Sequence, residues 1–424
     1  MHSPNESHTL NATRPRTQTA AGAAPLARAE PTDVGLDASR CQRLLSVLND
    51  EVARGRLPGG VALIARGGRI AVHEAFGQQD AAAGTPMHRD SIFRIYSMTK
   101  PIVSVAALML MERGQLLLSD PVSRYIPSFA RLKVADEADG RVTLRDPKQP
   151  PTVQDLLRHT AGLTYEFLGA SAVQRQYAQA RIASRERSNE QFCDDLAAIP
   201  LQFEPGSVWE YSRASDVLGR VVEVASGAGG VGGASDQTLG AFLKAEIFDP
   251  LGMKDTAFHV PPAQQDRIAE PFAHDPDGGI PMKVLDPRQV PAMEAGGGGL
   301  MSTAMDYARF LQCMLNRGAF NGTRILGPRT VDFMTADHLG AIPVNGNLLP
   351  PGHGFGLGFA VRTALGVAPV PGSVGLYYWG GIAGTTFFVD PAEDLFAILM
   401  IQAPNQRDHY RPLFRDLVYA TLVD

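Results

Sequence analysis

The hydrophobic pattern at the start of the chain predicts a helix followed by an antiparallel hairpin. Asp37 precedes the stretch ASRCQRLLSVLNDEVARG, in which Leu44 and Leu48 fall on one face at helical spacing. Aspartate is a common N-cap residue, so the helix is expected to begin directly after it. Two apolar runs then flank Gly67 and Gly68, and a Gly-Gly pair favours a two-residue turn between strands.

The C-terminal end has a similar pattern. The stretch GTTFFVDPAEDLFAILMIQ contains two apolar runs around an Asp-Pro-Ala-Glu-Asp turn, which predicts two further strands. The final stretch, HYRPLFRDLVYATLV, has helical periodicity. Strands from both ends can join one antiparallel sheet with helices packed on it, so the pattern indicates an α+β fold.

The middle of the chain is mainly helical in its periodicity and has few strand signals. Five stretches carry this pattern: IVSVAALMLMERGQL, TVQDLLRHTAGL, EQFCDDLAAIP, ASDVLGRVVEVASG and TLGAFLKAEIFDPLGM. We therefore predict a discontinuous α/β sheet domain over residues 31–105 and 290–424 and a mainly helical domain over residues 106–289. A cleft between two such domains is a common place for a ligand.

Composition and charge exclude several functional classes. The chain has 424 residues, of which 44% are hydrophobic and 20% are charged, as is ordinary for a globular protein. The formal net charge of -5 gives no basic excess for nucleic acid and no polybasic segment for a membrane surface. The three cysteines form no CxxC pair, and no histidines have zinc-ligand spacing. We predict no metal and no other cofactor.

The N-terminal segment lacks the features of a membrane or export signal. Residues 1–30 are polar, rich in Ala, Thr and Pro, and without the apolar core of a secretory signal. They are predicted to form a disordered leader. No apolar run in the chain reaches the roughly 18 residues needed to span a membrane. We expect a cytoplasmic protein, and cleavage of an earlier signal is the alternative.

A serine and a lysine three residues apart precede an almost wholly apolar helix, in the stretch FRIYSMTKPIV. Residues at this spacing share one face of a helix, so Ser97 Oγ and the Lys100 amine can come within hydrogen-bond distance. Burial and the positive helix end both favour a neutral lysine, which can accept the serine proton. The alternative is Ser97 as a helix N-cap and Lys100 in solvent.

A tyrosine precedes a second predicted helix, in the stretch WEYSRASDVLGRVVE, where Ser212 or Ser215 can act as the cap. A phenol at Tyr211, held beside Lys100, can carry protons to and from Ser97. The alternative is a tyrosine packed in the core with its hydroxyl satisfied.

Two glycines follow a tryptophan before a β-rich run, in the stretch YYWGGIAGTTFFVD. Glycine lets the backbone approach a ligand closely, as Gly380 and Gly381 would after Trp379. A strand edge here can offer the N–H of Ile382 to an oxyanion, with the N–H of Ser97 as the second donor. The alternative is an ordinary β-bulge.

Three further patterns have less support. The glycines of GAGGVG, at residues 227–232, follow a helix pattern rather than a strand, so we predict a loop instead of a dinucleotide site. No serine lies in a G-x-S-x-G sequence, which argues against an α/β-hydrolase. His159 can be considered as a triad base, but a Lys/Tyr pair removes the need for one.

The order Ser-x-x-Lys, then Tyr, then a Gly-rich strand motif resembles the serine β-lactamase and penicillin-binding-protein superfamily. The resemblance is greatest to its class C branch and to the family VIII carboxylesterases. LLRHTAGLTY, IFDPLGMKDT and GGGGLMSTAMDYARF resemble further segments of that superfamily, so the similarity covers about residues 31–424. It implies an antiparallel sheet flanked by helices plus a mainly helical domain, with the active site between them.

The resemblance also implies roles for individual residues. Ser97 is the nucleophile, Lys100 its activating base, and Tyr211 a co-base that also helps deacylation. His159 is implied to be structural. The other implied positions are Tyr165, Arg213, Trp379, Gly380 and Gly381 around the substrate, with the N–H groups of Ser97 and Ile382 in the oxyanion hole.

Two departures from the family pattern change the expected substrate. The third motif is usually Lys-Thr-Gly, whose cation and hydroxyl hold a substrate carboxylate, but Trp379 stands where that lysine would be. An apolar ring cannot pair with a carboxylate, which favours a neutral ester or lactone, as in the esterase branch. The second motif is usually Tyr-x-Asn, but here Arg213 takes the third position, and an inward Arg213 would recover some anion affinity.

We therefore expect a serine carboxylesterase that hydrolyses short-chain acyl esters through an acyl-enzyme on Ser97, with Lys100 and Tyr211 as the general base. The alternatives are β-lactamase or D-Ala-D-Ala carboxypeptidase activity, including weak cephalosporin hydrolysis, an acyltransferase, and a non-catalytic binding or sensor module. The expected partner is a small-molecule ester, without nucleic acid or membrane, in a monomer or a homodimer. Which of Lys100 and Tyr211 is deprotonated at rest stays open, because coupled groups titrate as a pair.

Overall fold

A single large sheet runs through the centre of the protein. The computed structural model describes residues 26–227 and 237–423, so the predicted leader up to residue 25 and residues 228–232 of the glycine loop lie outside it. Within the described chain the sheet has nine strands. Their spatial order is β1 (Ala27–Arg28), β3 (Arg69–Asp80), β2 (Gly59–Arg66), β15 (Leu395–Ile401), β14 (Thr386–Asp390), β13 (Tyr377–Gly380), β12 (Ala360–Arg362) and β11 (His353–Phe355), with β4 (Thr85–Pro86) joined to β3.

Three two-stranded ribbons complete the described β-structure. They pair β5 (Phe93–Arg94) with β8 (Met301–Ser302), β6 (Val134–Ala138) with β7 (Arg141–Arg145), and β9 (Ala319–Phe320) with β10 (Thr323–Arg324). The α-helices of the described chain are α1 (Ala38–Ala53), α2 (Thr99–Glu112), α3 (Val153–Leu157), α4 (Ala172–Gln179), α5 (Asn189–Ala197), α6 (Ala214–Ser226), α7 (Leu239–Leu243), α8 (Asp249–Leu251), α9 (Ala304–Leu315), α10 (Pro328–Met334) and α11 (Arg407–Tyr419).

The hairpins predicted at the two ends of the chain both form and meet in the sheet. β2 and β3 are antiparallel, and Gly67 and Gly68 between them have φ values of +60° and +72°, which glycine adopts without strain. β15 pairs antiparallel with β14 on one side and with β2 on the other. The two ends of the chain are therefore joined by backbone hydrogen bonds, as the sequence predicts for an α+β fold.

The first strand corrects the predicted end of the leader. β1 pairs in parallel with β3 at the sheet edge, and the Ala29 N–H donates to the Ile70 carbonyl at 3.0 Å. These bonds give a polar sequence a fixed place in the sheet without any apolar pattern of its own. Residues 27–29, which the sequence analysis places in the leader, are therefore part of the sheet edge, and the domain boundary at residue 30 stays a prediction.

The two faces of the sheet bury different sets of side chains, because successive strand residues point to opposite sides. Ala62 and Leu399 pack towards α1 and α11, whereas Leu63 and Ile398 pack towards α2 and α9. The predicted cap of α1 is confirmed, since the Asp37 side chain accepts the Arg40 N–H. Helix α2 is buried along almost its whole length.

The middle of the chain is largely helical, but it also contains a hairpin that the sequence analysis missed. β6 and β7 are antiparallel and joined by Asp139 and Gly140, both at positive φ. Asp-Gly is a hairpin turn signal, so the information was present in the sequence. One hydrophobic cluster runs from the sheet through α2 into the helical segment. The division into a discontinuous sheet domain and a helical domain stays a prediction.

Candidate active site

The serine singled out from the sequence lies in a short turn at the start of α2. Ser97 is the middle residue of a 3-10 turn, Tyr96–Met98, and α2 follows at Thr99 without a side-chain cap. Ser97 is therefore not the N-cap of α2. Tyr96 has a φ of +43°, which is strained for a bulky residue, and its hydroxyl accepts the Leu285 N–H at 2.9 Å.

The lysine lies behind the serine and away from solvent. Lys100 is 1% exposed, so the alternative of a solvated lysine does not describe it. Its Nζ donates to Ser97 Oγ at 3.3 Å, to the Tyr165 hydroxyl at 3.1 Å and to the Gly297 carbonyl at 2.6 Å. An ammonium group has three N–H donors, and these three acceptors match them in number.

The pKa of Lys100 is shifted in the direction opposite to the one predicted from the sequence. Burial by itself lowers the pKa of Lys100, but Tyr165, Tyr211 and Asp216 outweigh it and raise the pKa above its ordinary value. Asp216 lies close because its carboxylate accepts the Gly297 N–H at 2.8 Å. The expectation that burial keeps Lys100 neutral is therefore wrong in its net direction, because it omitted an anion that comes from another helix.

The tyrosine of the second motif is in contact with the serine. Tyr211 Oη and Ser97 Oγ are 2.6 Å apart, and Trp379 Nε1 donates to Tyr211 Oη at 3.3 Å. Helix α6 begins two residues beyond Ser212, with Arg213 at its N-cap and no side-chain cap, so the predicted serine cap is wrong. Tyr211 thus lies in the extended segment before α6, and its hydroxyl faces Ser97 instead of ending in the core.

The histidine considered as a triad base lies behind the tyrosine. His159 Nδ1 and Ser212 Oγ are 3.1 Å apart, and the rings of His159 and Tyr211 have centroids 4.9 Å apart. Burial, then the charge of Lys100, holds the pKa of His159 well below its ordinary value. A neutral imidazole packed behind Tyr211 fits the structural role that the resemblance implied.

The glycines of the third motif allow β13 to approach the serine turn. A Cβ atom on Gly381 would lie 2.4 Å from the Ile95 carbonyl, a backbone atom that cannot move aside easily. The Gly381 N–H donates to the Thr385 carbonyl at 2.8 Å. Ile382 follows at the cavity wall with 43% of its surface exposed. Glycine is thus required here for close packing, which an ordinary bulge would not need.

The arginine of the second motif turns inward, but its charge is paired. The Arg213 guanidinium lies 4.6 Å from the Tyr165 ring centroid and forms ion pairs with Glu166 at 2.6 Å and Asp216 at 3.7 Å. Two carboxylates therefore offset its positive charge before any substrate binds. The anion affinity that an inward Arg213 could supply is reduced accordingly.

These side chains surround one cavity of about 460 Å³. The predicted site residues that line it are Ser97, Tyr165, Tyr211, Arg213, Trp379, Gly380 and Ile382. Lys100 and Gly381 are not at its surface: Lys100 lies behind Ser97, and Gly381 is packed against Ile95. Apolar side chains, including Phe167 and Leu348, form much of the remaining wall.

The chain is similar to known proteins over most of its length. A family model described as Beta-lactamase matches residues 44–420. The chain belongs to the β-lactamase family. Within the family it is similar to Esterase EstB of Burkholderia gladioli, at 35% identity over 92% of this chain and 98% of the relative. It is also similar to the lovastatin esterase of Penicillium rubens, at 30% identity over 79% of this chain and 86% of the relative.

A solved structure also matches most of the chain. The structure of EstCE1, described as a hydrolase with promiscuous acyltransferase activity, superposes with a TM-score of 0.75 at 30% sequence identity. The match covers 90% of this chain and 98% of EstCE1. The α+β fold predicted from the sequence, with a sheet flanked by helices, is therefore confirmed.

Several residues of this β-lactamase family member escaped the sequence analysis. They are Glu166 and Asp216, which pair with Arg213, Gly297, whose carbonyl accepts from Lys100, and Arg411 and Arg415, which line the cavity from α11. The glycine run at residues 296–299 was noticed only as a family segment. A backbone carbonyl carries no signal of its own in a sequence, so its role depends on the fold.

The described residues hold neither a metal-ligand cluster nor a membrane-spanning helix. Among the described residues, no group of three or more His, Cys, Asp or Glu side chains is arranged to hold a metal ion. No helix in the same part of the chain is both long and apolar enough to cross a membrane.

Proposed function

We propose that this protein is a family VIII carboxylic ester hydrolase that cleaves short-chain acyl esters through an acyl-enzyme on Ser97. The observation that carries the proposal is the 2.6 Å separation of Tyr211 Oη and Ser97 Oγ, with Lys100 Nζ 3.3 Å from the same serine oxygen. A serine in a cavity that contacts a phenol hydroxyl able to exchange a proton with it, and a lysine amine, fits nucleophilic acyl transfer. The esterase relatives support the same class of substrate.

The proton of Ser97 passes to Tyr211 in the proposed acylation step. In this step Lys100 stays protonated, with three oxygens placed to accept its N–H groups, and its positive charge stabilises the negative charge that develops on Tyr211. Ser97 Oγ attacks the ester carbonyl, and the N–H groups of Ser97 and Ile382 hold the oxyanion. The C–O bond to the alcohol breaks, and the alcohol takes the proton from Tyr211.

Deacylation repeats these steps with water. Tyr211 accepts a proton from water, the resulting hydroxide attacks the acyl carbonyl, and the proton returns to Ser97 Oγ as the acid leaves. The indole N–H of Trp379 donates to Tyr211 throughout, which favours the negative phenol oxygen. Lys100 and Tyr211 thus act as one unit, with Tyr211 as the group that moves the proton.

An ester is favoured over a β-lactam because of two side chains. Trp379 takes the place of the motif-three lysine and uses its N–H for Tyr211, so it offers nothing to a substrate carboxylate beside Ser97. The cation of Arg213 is already paired with Glu166 and Asp216. Weak cephalosporin hydrolysis remains the alternative within the same fold.

Acyl transfer to an alcohol is a second candidate. EstCE1 is described as a hydrolase with promiscuous acyltransferase activity, and it covers nearly this whole chain. The cavity wall is largely apolar, which favours an alcohol over water beside an acyl-enzyme. Product analysis with a vinyl ester and added butanol separates the two activities by the ratio of butyl ester to free acid.

The proposal is tested by an activity panel on wild type and Ser97→Ala. Wild type should hydrolyse p-nitrophenyl butyrate faster than nitrocefin, and Ser97→Ala should hydrolyse neither above background. A fluorophosphonate probe should label wild type and leave Ser97→Ala unlabelled. Equal ester hydrolysis by the two proteins would exclude the Ser97 mechanism, and nitrocefin turnover above ester turnover would instead identify a β-lactamase.

A further inference from the structure

The cavity extends beyond Ser97 to helix α11, where its wall carries unpaired cations. Arg411 and Arg415 line this end and lie one helical turn apart, about 6 Å along the axis. Asp216 is the acidic side chain among the described residues that line the cavity, and it is paired with Arg213. The end at α11 is therefore positive.

Arg415 is the most unusual of these groups. It is 8% exposed, and its guanidinium lies 4.4 Å from the Tyr378 ring centroid and 5.2 Å from the Phe388 ring centroid. Among the described residues it has no hydrogen-bond or ion-pair partner. Two aromatic rings thus fix its position while its N–H groups have no acceptor. Arg415 lines the cavity, so an anion bound there can accept hydrogen bonds from its guanidinium.

Arg411 extends this positive surface towards the reacting centre. It donates to the Gly381 carbonyl at 2.5 Å, one residue before Ile382, and its buried Nε has no hydrogen-bond partner in the described chain. Burial, then the charge of Arg407, lowers the pKa of Arg411 to about 10. No carboxylate of the described chain forms an ion pair with it. Arg411 therefore links the predicted oxyanion hole with Arg415.

We propose that Arg415 and Arg411 form a carboxylate subsite, so that the preferred substrates are esters with a free carboxylate remote from the scissile bond. A guanidinium presents its N–H groups in a fork that matches a carboxylate. Trp379 excludes a carboxylate beside Ser97, whereas α11 accepts one further along the cavity. The kinetic part of this inference rests on the proposed esterase function, but the binding part does not.

The kinetic test uses matched pairs of esters. In the first pair, mono-p-nitrophenyl glutarate carries a carboxylate on its acid part and p-nitrophenyl pentanoate carries none. In the second pair, 4-carboxyphenyl butyrate carries a carboxylate on its alcohol part and phenyl butyrate carries none. For at least one pair, the ratio of kcat/KM for the anionic ester to that for the neutral ester should fall about tenfold or more in Arg415→Met. The pair that responds identifies the part of the substrate at α11.

Further variants separate charge from folding. Arg415→Lys should keep part of the preference, and Arg329→Gln, a highly exposed arginine outside the cavity, should keep all of it. Arg411→Gln leaves the stack of Arg415 on its two rings intact and should also lower the ratio, so the proposal can be tested even if Arg415→Met does not fold. Ratios unchanged from wild type in Arg411→Gln, and in whichever Arg415 variants fold, would overturn the proposal.

A binding measurement distinguishes failure of the subsite from failure of the esterase function. Ser97→Ala should bind monoethyl glutarate about tenfold or more tightly than diethyl glutarate by calorimetry, and Ser97→Ala/Arg415→Met should lose that difference. If wild type hydrolyses none of the esters but this difference is found, the esterase proposal is wrong and the subsite stands. If esters are hydrolysed, the two glutarates bind equally and neither ester pair responds to Arg415→Met, the subsite is wrong.

Discussion

The Lys100 nitrogen lies 2.6 Å from the carbonyl oxygen of Gly297, a contact between residues nearly two hundred positions apart. A carbonyl oxygen can only accept a hydrogen bond, so this contact assigns Lys100 as a donor. Asp216 supports the same assignment, because it holds the Gly297 N–H and raises the pKa of the lysine. The proposed mechanism therefore gives Tyr211 the role of accepting the Ser97 proton.

Replacing Tyr211 by Phe removes that acceptor and keeps the aromatic packing. We expect kcat for p-nitrophenyl butyrate to fall by about 10²–10⁴-fold, with little change in KM, because general-base catalysis contributes this much. Steady-state kinetics and a fluorophosphonate labelling rate measure the loss. As a control, Tyr410→Phe also removes a buried phenol, but one that donates to Glu51 behind α11, and it should retain near-wild-type kcat. A Tyr211→Phe variant with more than half of wild-type kcat would contradict the assignment.

Replacing Trp379 by Phe tests the indole hydrogen bond to Tyr211 alone. The ring remains, but the N–H that stabilises the phenol oxygen at 3.3 Å is lost. We expect kcat to fall about three- to tenfold, since a single hydrogen bond contributes about 1 kcal/mol. Steady-state kinetics on p-nitrophenyl butyrate measure the change, and an unchanged kcat in Trp379→Phe would show that the indole N–H contributes nothing to the reaction.

Adding one methyl group to Gly381 should displace the serine turn from β13. The new Cβ atom would lie 2.4 Å from the Ile95 carbonyl, and both partners are backbone segments that other contacts hold in place. We expect Gly381→Ala to lose at least about 10²-fold in kcat/KM, because small displacements of catalytic groups are that costly. Gly278→Ala is the matched control, since its Cβ would meet nothing closer than 3.8 Å. Full activity in Gly381→Ala would show that the turn can move without loss.

His73 should make the stability of the fold depend on pH. Burial, then the nearby charge of Arg28, lowers its pKa to about 4, below the ordinary value of 6.5 that applies in the unfolded chain. Between pH 6.5 and 4 the unfolded chain therefore binds a proton that the folded chain does not. The free energy of unfolding is complete above pH 6.5 and decreases towards pH 4, by on the order of 3 kcal/mol from this group.

Urea denaturation from pH 4 to pH 8 measures this dependence. His73→Gln should make the free energy of unfolding change less with pH between pH 4 and 6.5, whatever its effect on absolute stability. His409→Gln, in which an exposed histidine is replaced, should keep the wild-type slope. An unchanged slope in His73→Gln would assign the pH dependence to other groups.

Local patterns in the sequence were sufficient to predict most helices and strands near the two ends of the chain and the order of the three motifs. The Gly67–Gly68 hairpin, the C-terminal hairpin and the helices at both ends follow from periodicity and turn residues, because these depend on neighbours a few positions away. β1 escaped notice because its place depends on the edge of β3 and not on its own side chains. The β6–β7 hairpin had an Asp-Gly turn signal but lies in a mainly helical context.

The sequence by itself determined which side chains are candidates for the chemistry: Ser97, Lys100, Tyr211 and Trp379 were all identified from their spacing and surroundings. The tertiary structure alone decided their charges and contacts, since the Gly297 carbonyl, Asp216 and Arg415 come from distant segments. Electrostatic interactions in a buried site depend on distances of a few ångströms between such segments. That is why the charge of Lys100 and the positive end of the cavity could not be obtained from the pattern along the chain.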